Sequence, residues 1–138
     1  MIGVWIAKKK ITSAFKALNS HDAAAFTAAW ADDCTFYFPG TTSVSGKMEG
    51  RAAIDEWFVN QFPKVEFRIR NICVENIFDF VGTNVVAVHW ELTYTNRDGT
   101  EVENSGCTLI NVKFGKATLV YDYFFDTHEK LNIAWGEV

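Results

Sequence analysis

The chain has 138 residues, with 13 Lys and Arg against 17 Asp and Glu, for a net charge of −4. That length predicts one domain over 1–138, large enough to be stable without disulfides or metal. The acidic balance and scattered basic residues set aside a nucleic-acid binder, which needs a basic face to neutralise phosphates. The Lys8-Lys9-Lys10 run reads as the solvated face of a helix. Cys34, Cys73 and Cys107 are odd in number, widely spaced and without a CxxC pattern, which fits reduced thiols in a cytoplasmic protein. No metal site or cofactor is expected. The apolar opening, Ile2 to Ala7, is too short to span a bilayer, and its positive charges follow it, unlike a signal peptide. No membrane partner is expected. Five Trp and twelve Phe suit a rich core or an apolar ligand cavity.

In chain order, Ile11, Ala14, Phe15 and Leu18 form one apolar helical stripe. Asn19-Ser20-His21-Asp22 ends that helix and caps a short second one carrying Phe26 and Trp30. Cys34 to Phe38 is β-prone and closed by Pro39-Gly40, and Thr41 to Lys47 reads as a polar loop. A third helix follows Gly50, burying Ile54, Trp57, Phe58 and Phe62 before Pro63. Four strands follow, over about 65–79, 83–96, 100–114 and 117–126. Asn96-Arg97-Asp98-Gly99 and Phe114-Gly115-Lys116 supply the turns. Alternation in the first strand changes phase near Arg70-Asn71, which predicts a β-bulge. Thr127 to Ile133 predicts a last helical turn. Helices followed by an antiparallel meander define an α+β fold.

The segments Ala17-Leu18-Asn19-Ser20-His21-Asp22, Trp30-Ala31-Asp32-Asp33-Cys34-Thr35-Phe36, Pro39-Gly40 and Gly50-Arg51-Ala52-Ala53-Ile54 resemble the SnoaL-like, nuclear-transport-factor-2-like signature. Tyr121 to Asp126 is similar to the last strand of that group, especially in limonene epoxide hydrolases. The resemblance implies an α+β cone, with three N-terminal helices on a curved, mostly antiparallel sheet enclosing a pocket. It does not carry ketosteroid isomerase chemistry. Phe38, Ala14 and Ile110 or Asn111 stand where that enzyme has its base, its tyrosine and its second acid. Against the epoxide hydrolases, Asp122 is retained, Glu91 is a longer carboxylate, and His89, Thr35 and Tyr37 differ.

His89 and Glu91, two apart on one strand, share a sheet face, and the resemblance implies that they meet Asp122 inside the cone. Two carboxylates bridged by an imidazole could divide acid and base roles. Three other readings stay open: a structural cluster, exposure on the convex side, or a dimer contact of Glu91. Tyr37, Phe15, Trp30, Trp57 and Phe58 are the candidate substrate-binding residues. Asp126 reads as a turn or cap residue, and His21 and His128 as solvated. The expected function is binding of a small hydrophobic molecule, with cofactor-independent hydrolase, cyclase or isomerase chemistry. The alternative is a non-catalytic ligand-binding or association domain. Trp90, Leu92 and Tyr94, assigned to the outer sheet face, predict a homodimer through that face.

Overall fold

The computed structural model describes residues 2–96 and 98–136. Helix α1 spans Ile2–Asn19 and α2 spans Ala23–Thr27. Between them His21 takes a left-handed φ of 60°, and the Asp22 carboxylate accepts the Ala25 N–H at 3.0 Å. The α1 helix thus starts nine residues before its apolar stripe at Ile11. Strand β1 is Trp30–Phe38 and β2 is Gly46–Glu49, formed from the end of the expected polar loop.

Helix α3, Arg51–Glu56, runs on into a π-helical turn, Trp57–Gln61, and a 3-10 turn, Phe62–Lys64. The Phe62 N–H donates to the Trp57 carbonyl, so Trp57 and Phe62 line up one above the other. This turn lets Ile54, Trp57, Phe58 and Phe62 all reach the core, which one unbroken α-helical stripe would spread wider.

Strands β3 (Glu66–Phe80), β4 (Thr83–Thr95), β5 (Glu101–Lys113) and β6 (Lys116–Phe124) make the expected meander, followed by α4, Glu129–Trp135. Of the first turn signal, Arg97 lies outside the described residues. The sheet order is β2-β1-β6-β5-β4-β3, and the sheet does not close. Every pair is antiparallel except β1 with β6, which run parallel.

The bulge falls where alternation predicts it. Asn71 and Ile72 together oppose Trp90, because the register passes from Arg70↔Glu91 to Cys73↔His89. Asn71 holds the left-handed φ of 53° that one extra residue requires. A second shift lies between Asn76 and Phe78.

Even-numbered residues of β4 face the helices: Val86, Val88, Trp90, Leu92 and Tyr94 are all buried. Trp90, Leu92 and Tyr94 are therefore core residues on the inner face and not the outer-face residues expected, so they do not supply an outer-sheet contact. The convex face instead carries Tyr37, whose ring stacks on Tyr121 at 4.4 Å, with Tyr123 beyond at 6.0 Å. The more apolar face of β4 goes under the helices, because burying it removes most apolar area from water.

As an edge strand, β3 leaves the outward N–H and C=O of Ile69 without a strand partner. The Asn19 side-chain amide supplies both bonds, donating to the Ile69 carbonyl at 2.6 Å and accepting its N–H at 2.7 Å. This pair fixes the end of α1 beside the bulge. Asn19→Ala should destabilise the protein by about 2 kcal/mol, because two part-buried backbone groups lose their partner. Asn19→Asp should cost at least as much, since a carboxylate oxygen would then face the Ile69 carbonyl oxygen that the amide N–H now serves. Urea denaturation of the three proteins checks the order.

Candidate functional site

Alternation on β5 and β6 decides which polar groups reach the interior. Thr108 and Ile110 of β5 and Val120 and Phe124 of β6 are buried on the helix-covered side. Asp122, between Val120 and Phe124, points the same way. Its Oδ1 accepts the Thr108 hydroxyl at 2.6 Å, and Thr108 Oγ1 accepts the Trp90 indole N–H at 2.9 Å. A linear relay thus crosses β4, β5 and β6.

Gly106 makes the relay possible. It stands opposite Trp90 in the register. A Cβ there would lie 2.6 Å from the indole and collide with the Tyr123 carbonyl oxygen. Without one, the Trp90 ring lies across β5 and reaches Thr108.

Asp122 borders a small cavity of about 20 Å³, room for about one water. Its wall includes Phe15, Trp30, Phe58, Phe62, Trp90 and Phe124. The residue keeps intermediate accessibility because it borders this space, yet its carboxyl is enclosed by rings. Burial pushes its pKa up to about 7, against a smaller lowering by the Thr108 hydrogen bond. Among the described residues Asp122 has no ion-pair partner.

A larger cavity, about 220 Å³, opens between α1 and the inner face of the sheet. Ile6, Lys10, Ile11 and Ala14 of α1 face Asn84, Ile110, Val112 and Ala117 across it. Phe15, Phe26, Trp30 and Thr108 border both spaces. Thr108 is therefore the polar point at which the chamber meets the Asp122 carboxyl.

The expected triad does not assemble. His89 and Glu91 are odd-numbered residues of β4 and lie on the convex face, opposite to Asp122. His89 is exposed, between Cys73 and Cys107 on the neighbouring strands. Glu91 accepts the Asn71 amide at 2.6 Å and pairs with Arg70 at 3.5 Å. Tyr37 is likewise on the convex face, stacked on Tyr121 with the Lys47 ammonium 5.8 Å from its ring. Phe15, Trp30 and Phe58 border the interior spaces, whereas Trp57 borders neither and donates its indole N–H to the Val44 carbonyl at 2.8 Å.

Asp126 caps α4, accepting the N–H groups of His128, Glu129 and Lys130 at 3.0–3.3 Å. Burial raises its pKa, but these three bonds outweigh burial and hold it low. Thr108 and Trp90 were not singled out as site residues. Their signal was the shared parity of Trp90, Thr108 and Asp122 once the apolar face of β4 is turned inward.

All three cysteines are free, and burial pushes the Cys34 thiol up to about 11. Among the described residues no group of three or more His, Cys, Asp or Glu is placed to hold a metal ion. Nor is any described helix long and apolar enough to cross a membrane.

Residues 11–120 match the SnoaL-like domain family, and the chain belongs to it. An NTF2-like protein of unknown function from Burkholderia pseudomallei K96243 is similar in structure, with TM-score 0.74 at 19% identity over 88% of this chain and 91% of that one. A candidate polyketide cyclase from Pseudomonas putida KT2440 gives TM-score 0.71 at 16% identity, covering 93% and 98%. TerC, crystallised with polyporic acid, gives 0.68 at 17% identity, covering 86% and 90%. At these identities the likeness establishes the fold. No curated protein matches the sequence.

The raised pKa of Asp122 has a definite stability sign. Between about pH 4 and 7 the folded chain holds a proton that the unfolded chain has lost, so stability falls as pH rises through that window. Asp122→Asn should leave stability unchanged near pH 4 and raise it above pH 7, by about 4 kcal/mol at most. Denaturation at pH 4 and pH 8 checks this, and equal effects at both would mean a solvated carboxylate. Gly106→Ala should destabilise by about 3 kcal/mol or more through the backbone collision, and should shift the Trp90 fluorescence.

Proposed function

We propose that this SnoaL-like domain binds a small hydrophobic molecule in the chamber between α1 and the sheet, and that Asp122 serves it as a general acid–base. The observation that carries the reading is a buried carboxyl, unpaired by any cation among the described residues, with its pKa pushed up to about 7 at the inner end of an apolar space. Such a group is populated in both protonation states near neutrality, which is the condition for donating and accepting protons at physiological pH. Thr108 holds one carboxyl oxygen, leaving the other for a substrate or a water. The chemistry is then proton transfer without a cofactor, of isomerase, cyclase or hydrolase type.

At about 220 Å³ the chamber is smaller than the ~300–1,000 Å³ pockets of drug-sized ligands, so a one- or two-ring molecule suits it. The candidate polyketide cyclase and TerC, crystallised with polyporic acid, are fold relatives. They support the ligand class and not a particular reaction.

A second reading, ligand binding without catalysis, is favoured by the 20 Å³ at the carboxyl. Substrate atoms reach Asp122 only if the rings of Phe15, Phe26 or Trp30 shift.

A neutral two-ring ketone, 2-acetylnaphthalene, tests both. Calorimetry should show binding that Ala14→Trp, which fills the chamber, weakens at least tenfold. In deuterium oxide, exchange of the methyl protons next to the carbonyl should be accelerated by the protein, with Asp122→Asn losing at least a hundredfold. Binding without exchange would leave the non-catalytic reading standing, and no binding would remove both.

A further inference from the structure

We infer that the chamber takes a hydrophobic carboxylic acid, its anionic head at Lys10 and its apolar body directed inward toward Thr108. The inference rests on the chamber proposed above and adds the charge and orientation of its ligand.

The three consecutive lysines of α1 have different surroundings. The Lys8 ammonium is 3.7 Å from the Glu75 carboxylate. The Lys9 ammonium lies over the Trp5 ring, 5.4 Å from its centre. Lys10 borders the chamber and, among the described residues, has neither an ion pair nor a side-chain hydrogen bond. It belongs to the helix face that carries Ile6, Ala7 and Ala14, at the i−4, i−3 and i+4 spacings. All three of these residues also border the chamber. Lys10 is thus a cationic residue on an otherwise largely apolar wall.

The inner end of the chamber carries the opposite preference. Thr108 borders the chamber there and donates at 2.6 Å to the Asp122 carboxyl, which lies behind it in the adjoining small cavity; in its ionised state that group repels a second carboxylate nearby. An anion bound in this space is therefore disfavoured at the inner end and favoured at the mouth. Asp79, paired in register with the lining residue Asn84, is placed to accept the Asn84 side-chain amide at 2.5 Å, and it does not pair with Lys10. A molecule with one carboxylate and an apolar body satisfies both ends at once: the ammonium meets the head, and the rings of Phe15, Phe26 and Trp30 meet the body.

The test compares two ligands of one shape, 2-naphthoate and 2-acetylnaphthalene, by calorimetry at pH 8 and low salt. The acid should bind about fivefold more tightly than the ketone, and 0.5 M sodium chloride should remove most of that preference. Lys10→Gln should bring the ratio of the acid's affinity to the ketone's, measured on the same variant, down to about one. Lys10 is exposed, so this variant is expected to fold normally. Lys9→Gln should leave both affinities as they were. If the ketone binds as tightly as the acid, or if Lys10→Gln keeps the preference, the carboxylate inference is overturned while the chamber stands. If neither ligand binds, the chamber itself is overturned.

Discussion

The contact between Trp90 and the bare backbone of Gly106 governs the interior of this protein. An indole laid across a neighbouring strand needs a position without a side chain, and β5 provides one directly opposite. The ring then delivers its N–H to Thr108 and Thr108 its hydroxyl to Asp122, so three strands share one polar line through an aromatic interior. Each donor has one acceptor, and the line ends on an acid. A buried polar chain of this kind is tolerable only because every link is satisfied.

The acid at its end is solitary. In paired-carboxylate sites one group is driven protonated by the charge of the other. Here Glu91, the other candidate, is on the far side of the sheet and bound to Arg70 and Asn71. The elevation of the Asp122 pKa is therefore a burial effect, set by the rings of Phe15, Trp30, Phe58 and Trp90. Solvent entry into the space beside it would lower that pKa, and an apolar ligand that excludes water would sustain it. Proton affinity and occupancy of the interior are thereby linked.

Much of the fold is legible in the sequence because its signals are local. The phase change at Arg70-Asn71, the capping Asp22, the capping Asp126 and the spans of β3 to β6 each depend on a few adjacent residues. The parallel pairing of β1 with β6 joins residues more than eighty positions apart, and no local pattern announces it. Of the three polar residues grouped from the sequence, one lies on the inner face. Asp122 faces inward as the family resemblance implies, whereas His89 and Glu91, for which it implies the same, face outward as the composition of their strand dictates. Trp90, Leu92 and Tyr94 outweigh Ala87, His89 and Glu91 in apolar area, and burial follows area. Tyr37 faces outward for the same reason, since Phe36 and Phe38 on either side of it hold the core positions.

The Asn19 amide on Ile69 also bears on how the chain behaves among its own copies. A sheet that does not close exposes two edges, and an exposed edge is a template on which another chain can add a strand. One edge, β2, is four residues long. The other, β3, is fifteen, but its ladder is interrupted twice and its outward groups at Ile69 are already occupied by a side chain of the same molecule. An incoming strand would find no uninterrupted run of free donors and acceptors there, so the device that anchors α1 also blunts the protein's longest route to fibrous self-association.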